Sequence, residues 1–551
     1  MTNAMPRPTA VDRPLNRRRP SLHRTLRAAA LAVLVASQAL VLPAAQAQLL
    51  PGLGDGGEMT AAAERRLGDQ IARELYRDPD YIDDPVLVDY VQAIWQPLLA
   101  AARVRGELTP ELDERFAWAV LLGRDRSINA FALPGGYLGV HLGLIAVTDS
   151  RDELATVLGH ELSHVTQRHI ARIMAKQSRD MPLMLAALVL GMIAATKSGS
   201  GDAGQAVIMG SQAMAMQNQL NFSRDMEREA DRVGFGVMTQ AGFAPQGAAS
   251  MFEKLQYASR LNDNGSYPYL RSHPLNSERI SDMQARFQFR GDGAAPEDAS
   301  AGLGLAGAVR PAGPRSAAAP ALRMDHAIVA ARARVLSRPG VDVLRLWIDA
   351  ASGTEFARRS PAQQAGMLAA AALAANELRD QRAARALSDR LTTLAAADPA
   401  SAYLARLLSA ELYLATGAAP QAAALLDVRA RTRAEMLLAA QAAVATRQPE
   451  PAVAPLRDWV ATHPRDAGAW QMLASVYSAQ NDGLRAVRAY AEANVAVLDY
   501  AAARDRFKAA QDMAVRGSGG TVDHYEASII DTRARAVEAL LREQQAEPPL
   551  R

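Results

Sequence analysis

Residues 160–164 read His160-Glu161-Leu162-Ser163-His164. On a helix, positions i and i+4 share a face, so both imidazoles can reach one metal ion. Glu161 sits about 100° round the same helix, where its carboxylate can face a water on that ion. Zinc would bring the pKa of such a water toward ~7, and Glu161 would take its proton. The chemistry these residue types point to is metal-assisted hydrolysis. The alternative is a helix that merely carries two histidines.

The surrounding elements favour a built site. Ser150-Arg151-Asp152-Glu153 is a Ser-x-x-Glu capping box, which starts a helix. Leu154, Val157, Leu158, Val165, Ile170 and Ile173 then give an apolar stripe, so the motif is expected on a half-buried helix. His169 falls off the ligand face and reads as a surface residue or an outer neighbour of the site. A catalytic zinc usually has three protein ligands and one open position. Glu227, in Arg224-Asp225-Met226-Glu227-Arg228-Glu229-Ala230-Asp231, is the best third candidate. This segment predicts a second helix running to about Ala241 and stopping at Gly242. Glu227 and Asp231 share a face of it, while Glu229 points elsewhere. On spacing alone, a solvated acidic face paired with Arg224 and Arg228 explains these residues equally well.

Taken together, His160-Glu161-x-x-His164 and Glu227-x-x-Ala230-Asp231 resemble the M48 family of zinc metallopeptidases. The resemblance implies Glu227 as the third zinc ligand, with Asp231 beside the site in a supporting or proton-donating role. A carboxylate one turn from a ligand can hydrogen-bond a metal-bound imidazole and fix its tautomer. The segment Asn129 to His141 resembles the stretch that precedes the zinc helix in that family. Read from its residues, it is two extended runs broken by Pro134-Gly135-Gly136, a turn signal. A strand beside such a site can pair with substrate backbone. His141 is a ligand type, but three ligands are already at hand.

His273-Pro274 follows Glu227 by 46 residues. The residue before a proline is held extended, so His273 is expected on a stiff loop between helices. In the periplasmic M48 branch that carries repeats, a His-Pro here can approach the metal. His273 would then be a fourth ligand or gate that blocks water, or a donor to the developing oxyanion. A helix-capping loop histidine is the plain alternative.

The N-terminus reads as a secretory leader. Six arginines between Arg13 and Arg27 precede an apolar run at 28–42, and Pro43-Ala44-Ala45-Gln46-Ala47 has the small residues of a cleavage site after Ala47. The apolar run is short for a transmembrane anchor. The chain has no cysteine, so neither a lipid-attachment thiol nor a disulfide framework exists in it. Residues 1–47 hold seven Arg and one Asp, so their removal takes the formal charge from +3 to −3. The charge pattern therefore asks for no nucleic-acid partner. The most apolar internal stretch, 181–195, is 15 residues long and falls short of the ~20 needed to span a membrane. With the Met-rich residues up to 216, it reads first as an ordinary buried helix and otherwise as a flap that guides substrate or makes peripheral membrane contact.

Beyond the leader the length implies more than one domain. We expect a leader at 1–47, a metalloprotease domain at 48–290, an Ala-, Gly- and Pro-rich linker or long loop at 291–322 and a helical region at 323–545. In the last, Trp470, Leu473, Ala474, Tyr477, Ala486, Tyr490 and Ala493 fit a tetratricopeptide pattern. Ala452, Leu456 and Pro464 repeat it one unit earlier. Ala410, Tyr413, Gly417, Ala422 and Leu426 suggest a third unit and residues 365–399 a fourth. Stacked helix pairs of this kind make a concave surface for peptides or proteins.

Both halves together resemble the periplasmic, tetratricopeptide-bearing M48 proteases of Gram-negative bacteria. The implied fold is mainly α: a zincin-like domain with a small β-sheet, then a helical repeat solenoid. The implied cofactor is one Zn2+ on His160, His164 and Glu227, with Glu161 and Asp231 in catalysis. The implied role is proteolysis and chaperoning in outer-membrane protein quality control. Its partners would be unfolded or misassembled envelope proteins and the barrel-assembly machinery. The rival reading is a chaperone or adaptor whose protease site is silenced.

Overall fold

The computed structural model of the chain describes residues 59–175, 224–260, 267–291, 322–516 and 523–547. The expected leader, the stretch at 181–216 and nearly all of the expected linker lie outside them.

Helix α1 (Ala61–Arg77) is followed by β1 (Tyr81–Ile82), α2 (Pro85–Val104), α3 (Pro110–Arg115) and β2 (Ala119–Gly123). Asp84 caps α2 by accepting the Leu87 N–H at 2.9 Å, and Pro85 has no N–H to satisfy at the first position. The two expected extended runs are β3 (Ala130–Leu133) and β4 (Tyr137–His141), joined by a tight turn at Pro134–Gly136. Gly135 and Gly136 hold φ of 72° and 83°, which glycine adopts without steric cost. The sheet order is β1-β2-β4-β3; β2 and β4 are parallel and the other pairs antiparallel, so β3 is an edge strand.

Helices α4 (Leu142–Val147), α5 (Arg151–Thr166) and α6 (His169–Ala175) come next, then α7 (Arg224–Gln240), α8 (Gln246–Arg260), α9 (Pro268–Ser272) and α10 (Ser277–Gly291). Ser150 caps α5 as expected, accepting the Glu153 N–H at 3.1 Å. The reciprocal bond goes elsewhere: the Glu153 carboxylate accepts from Asp149 N–H and from Lys254. The half-buried helix expected here is in fact enclosed, for every residue from Glu153 to Thr166 is buried. The cause is packing on all sides by α2, α7, α8 and β3. On the α7 side the approach is backbone to backbone. A Cβ on Gly234 would stand 2.9 Å from the Gly159 carbonyl, so only glycine lets α5 and α7 cross this closely.

The second half is helical. After α11 (Met324–Leu336) and α12 (Val341–Ala350) come five pairs of consecutive helices. They are α13 (Pro361–Glu377) with α14 (Gln381–Ala395), α15 (Pro399–Ala415) with α16 (Ala419–Leu425) and α17 (Arg433–Ala445) with α18 (Glu450–Thr462). Then come α19 (Ala467–Ala479) with α20 (Gly483–Ala496) and α21 (Tyr500–Arg516) with α22 (His524–Ala546). Aspartates 380, 398, 466, 482 and 523 cap the helices they precede. Of the positions that suggested a repeat, Leu473, Ala474, Tyr477, Ala486 and Ala493 are buried on α19 and α20. No described helix is long and apolar enough to cross a membrane.

The described residues cluster as one compact unit, and α11 is its seam. Val329 and Ala333 belong to the core around α5, while Ile328, Ala331 and Val335 belong to the core of the helix pairs. Buried Arg332 on this helix pairs with both oxygens of Asp84 (2.6 and 2.8 Å) and with Glu411 on α15 (2.7 Å). Further along, Arg433 on α17 reaches Asp83 at 2.7 Å, and Ala434 N–H donates to Asp89 at 2.8 Å.

Candidate metal centre

Helix α5 carries His160, Glu161 and His164; α7 carries Glu227 and Asp231; the loop between α9 and α10 carries His273. The close crossing at Gly159 and Gly234 brings the first two sets together. One ligand atom from each of His160, His164, Glu227 and His273 lies within 4.8 Å of the others, and all four residues are buried. The Nε2 atoms of His160 and His164 are 3.0 Å apart, and each is 3.5 Å from a Glu227 oxygen. Ligand atoms about 2.0–2.1 Å from a tetrahedral zinc stand about 3.4 Å from one another, so these spacings suit one such ion.

The donor set passes a chemical test as well. Glu161, Glu227 and Asp231 gather three carboxylates in a buried space with Arg279 as their guanidinium partner. Glu161 Oε1 and Glu227 Oε2 are buried without a hydrogen bond, although Arg279 Nη1 stands 2.9 Å from the latter, off the bonding direction. Orphaned carboxylate oxygens facing two imidazole nitrogens are what a divalent cation satisfies.

Electrostatics sort the groups. Burial alone would lower His160, but its contacts with Asp231 (3.0 Å) and Glu227 outweigh burial and lift it to about 10. Burial pushes His164 well below its usual value, helped by neighbouring His160. Burial raises Glu161 against the pull of His273 and His160, which suits a proton acceptor. Burial acts upward on Asp231 too, but hydrogen bonds from Arg279 and His160 hold it below the usual carboxylate range. Asp231 is thus held as an acceptor facing His160 Nδ1.

His273 lies inside the cluster. Its Nδ1 is 3.0 Å from Glu227 and 3.4 Å from His160 Nε2, and its Nε2 is 3.3 Å from Glu161. It caps the C-terminal end of α9 with φ −123° and ψ 74°, outside the helical region as a residue before proline must be, but short of the fully extended backbone expected. His141 is elsewhere, bonded to Ser127 at 2.8 Å. Sequence reasoning missed Arg279, which forks onto both oxygens of Asp231 (2.6 and 2.8 Å) and donates to the Pro274 carbonyl at 2.9 Å. It also missed Tyr269, buried with its ring centroid 4.7 Å from that of His273. The surface option for His169 fails: it is fully buried against His164. The edge strand offers Ala132 N–H, which donates to Glu161 Oε2 at 2.9 Å.

Residues 90–287, the span holding every one of these groups, match peptidase family M48. The chain carries an M48 peptidase domain. It is 37% identical over 243 residues to a putative beta-barrel assembly-enhancing protease of Vibrio cholerae, covering 43% of this chain and 47% of that one. It is 32% identical over 275 residues to the beta-barrel assembly-enhancing protease of Escherichia coli K12, covering 48% and 52%. The mitochondrial metalloendopeptidase OMA1 of Saccharomyces cerevisiae is 28% identical over 198 residues, covering 35% and 54%. The matches thus span about half the length of these curated relatives. The cofactor that suits the M48 domain and its donor set is one Zn2+.

Proposed function

We propose that this chain is a zinc-dependent endopeptidase of the periplasm, acting in the quality control and assembly of outer-membrane proteins. One observation carries the reading: His160, His164 and Glu227 converge on one buried point that Glu161 also faces. His160, His164 and Glu227 would hold the metal. When bound, zinc supplies Lewis acidity, which polarises a carbonyl and makes its water acidic. Ala132 N–H fixes one oxygen of Glu161, leaving Oε1 turned to the cluster to take a proton from water. As the peptide C–N bond breaks, Glu161 passes that proton to the leaving amine. Asp231, clamped by Arg279, keeps His160 Nδ1 occupied and its Nε2 aimed inward. His273 would serve as a fourth ligand or gate, its ring lying between Glu161 and Glu227.

The names of the relatives, the secretory pattern of residues 1–47 and the paired helices support the cellular part. The leader would deliver the chain to the periplasm. The M48 domain would occupy 48–290, the linker 291–322 and tetratricopeptide-like repeats 323–545. The repeats would present unfolded or misassembled envelope proteins, or dock on the barrel-assembly machinery. A second reading has one observation in its favour. With His273 seated between Glu161 and Glu227, the protease is silenced and the chain works mainly as a chaperone or adaptor.

The test is cleavage of an unfolded model protein by purified residues 48–551, with Glu161→Gln and His273→Ala beside it. An inert Glu161→Gln and a faster His273→Ala support a gated zinc protease. Equal cleavage by Glu161→Gln would end the proteolytic reading. An inert His273→Ala would end the gating one.

A further inference from the structure

His169 is not on the ligand face of α5, yet it is fully buried, and no step of the proposed hydrolysis uses it. Its Nδ1 lies 2.9 Å from Nδ1 of His164. Its Nε2 lies 3.1 Å from Oε2 of Glu229, and Arg172 Nη1 donates to that same oxygen at 2.8 Å. With His169 neutral, these contacts select one arrangement of protons. Glu229, paired with Arg172, only accepts, so His169 Nε2 carries a hydrogen. Neutral His169 then offers a lone pair at Nδ1, so the hydrogen between the two rings belongs to His164 Nδ1. His164 Nε2 is left bare, aimed at His160 Nε2 and Glu227. On the other ring, Asp231 does the same work directly at His160 Nδ1.

We infer that His169 and Glu229 are positioning residues for the metal: a two-residue relay that locks His164 in its metal-binding tautomer and orientation. Helix α7 therefore serves the centre three times over, with Glu227 as ligand, Asp231 behind one imidazole and Glu229, through His169, behind the other. The inference rests on the proposed metal site and adds to it residues that never touch the ion.

The test is zinc affinity, measured by competition with a chromogenic chelator on residues 48–551 carrying Glu161→Gln to prevent self-cleavage. Thermal midpoints of the zinc-free proteins are recorded alongside. His169→Ala should weaken zinc binding by about 10–100-fold, the usual effect of removing such a partner. His169→Asn puts Oδ1 where the imidazole Nδ1 was, keeps an acceptor for His164, and should recover affinity to within about threefold of the parent. Glu229→Ala should fall between them, and since Glu229 is partly exposed it opens no hole in the core.

Parental affinity in His169→Ala would overturn the inference. So would equal weakness in His169→Ala and His169→Asn with matching zinc-free midpoints. Should both His169 variants fail to fold, unchanged affinity in Glu229→Ala overturns it. The underlying reading fails separately: a parent that binds zinc no better than His164→Ala has no metal site for the relay to serve.

Discussion

Arg332 offers a sharp test of how the M48 domain is joined to the helix pairs. It is 7% exposed and makes two bonds to Asp84, itself 7% exposed. Its other bonds go to Glu411, whose side chain is 30% exposed. Arg332→Met keeps most of the buried volume and removes the charge. Glu411 can turn to water, so its loss contributes less than about 1 kcal/mol. Asp84 cannot, since its Oδ1 is committed to the cap of α2. Leaving such a carboxylate buried and unpaired costs about 3–5 kcal/mol. For a chain of this size 1 kcal/mol moves the thermal midpoint by roughly 1–2 °C, so the drop should be roughly 3–10 °C. Adding Asp84→Asn removes the stranded charge and keeps a cap acceptor, so the double variant should regain most of that loss. Differential scanning calorimetry at neutral pH reads both. A single variant within 1 °C of the parent, or a double variant no more stable than the single, would refute the reasoning.

Other expectations can be checked on the same material. Gly234→Ala forces α5 and α7 apart at the metal centre; it should lower stability by about 1–3 kcal/mol and reduce zinc retained after dialysis, and full retention would count against the crossing as the site's support. Stripping zinc with a chelator should lower the midpoint, because ligand at 100 times its Kd contributes about 2.7 kcal/mol; zinc but not magnesium should restore it, and a midpoint indifferent to zinc would tell against the site. Asp89 should give a pH signature. Burial raises it from 3.8 to about 6 against the pull of the Ala434 N–H. A carboxyl with a raised folded pKa binds protons more tightly when folded, so its cost is absent below about pH 4 and complete above about pH 6. Asp89→Asn should therefore stabilise the protein at pH 7.5, by about 1 kcal/mol after solvent screening at this half-buried site, and change little at pH 4; equal shifts at both would exclude titration as the cause.

Local signals carried much of the architecture. The Ser150 cap, the Pro134–Gly136 turn and the stop before Gly242 fall where the sequence predicts them, because each depends on a few neighbouring residues. The pairing of His160 and His164 follows from helix geometry alone. What the sequence hid is tertiary. Arg279 is an ordinary first-turn residue of α10 until the His273-Pro274 loop folds it over Asp231. Glu229 does point away from Glu227, as its helix position requires, but α6 brings His169 round to meet it. The enclosure of α5 was unreadable for the same reason: its second apolar surface is supplied by α7 and α8, which lie more than 50 residues on.

The helix shared by two cores also sets an order of events. Domains generally fold as they emerge, N-terminal part first. Here residues 59–291 emerge before α11, the helix that seats Val329 and Ala333 in their core and offers His326 to the Thr148 carbonyl at 2.7 Å. Until residue 336 has appeared, that seat stays open and α4, the short helix just before the metal helix, lacks its cover. Completion of the core that holds the metal helix would then wait for the first helix of the C-terminal half during biosynthesis. Chains stopped at 322 and at 336 would show it, with protease-resistant 142–175 appearing only in the longer one.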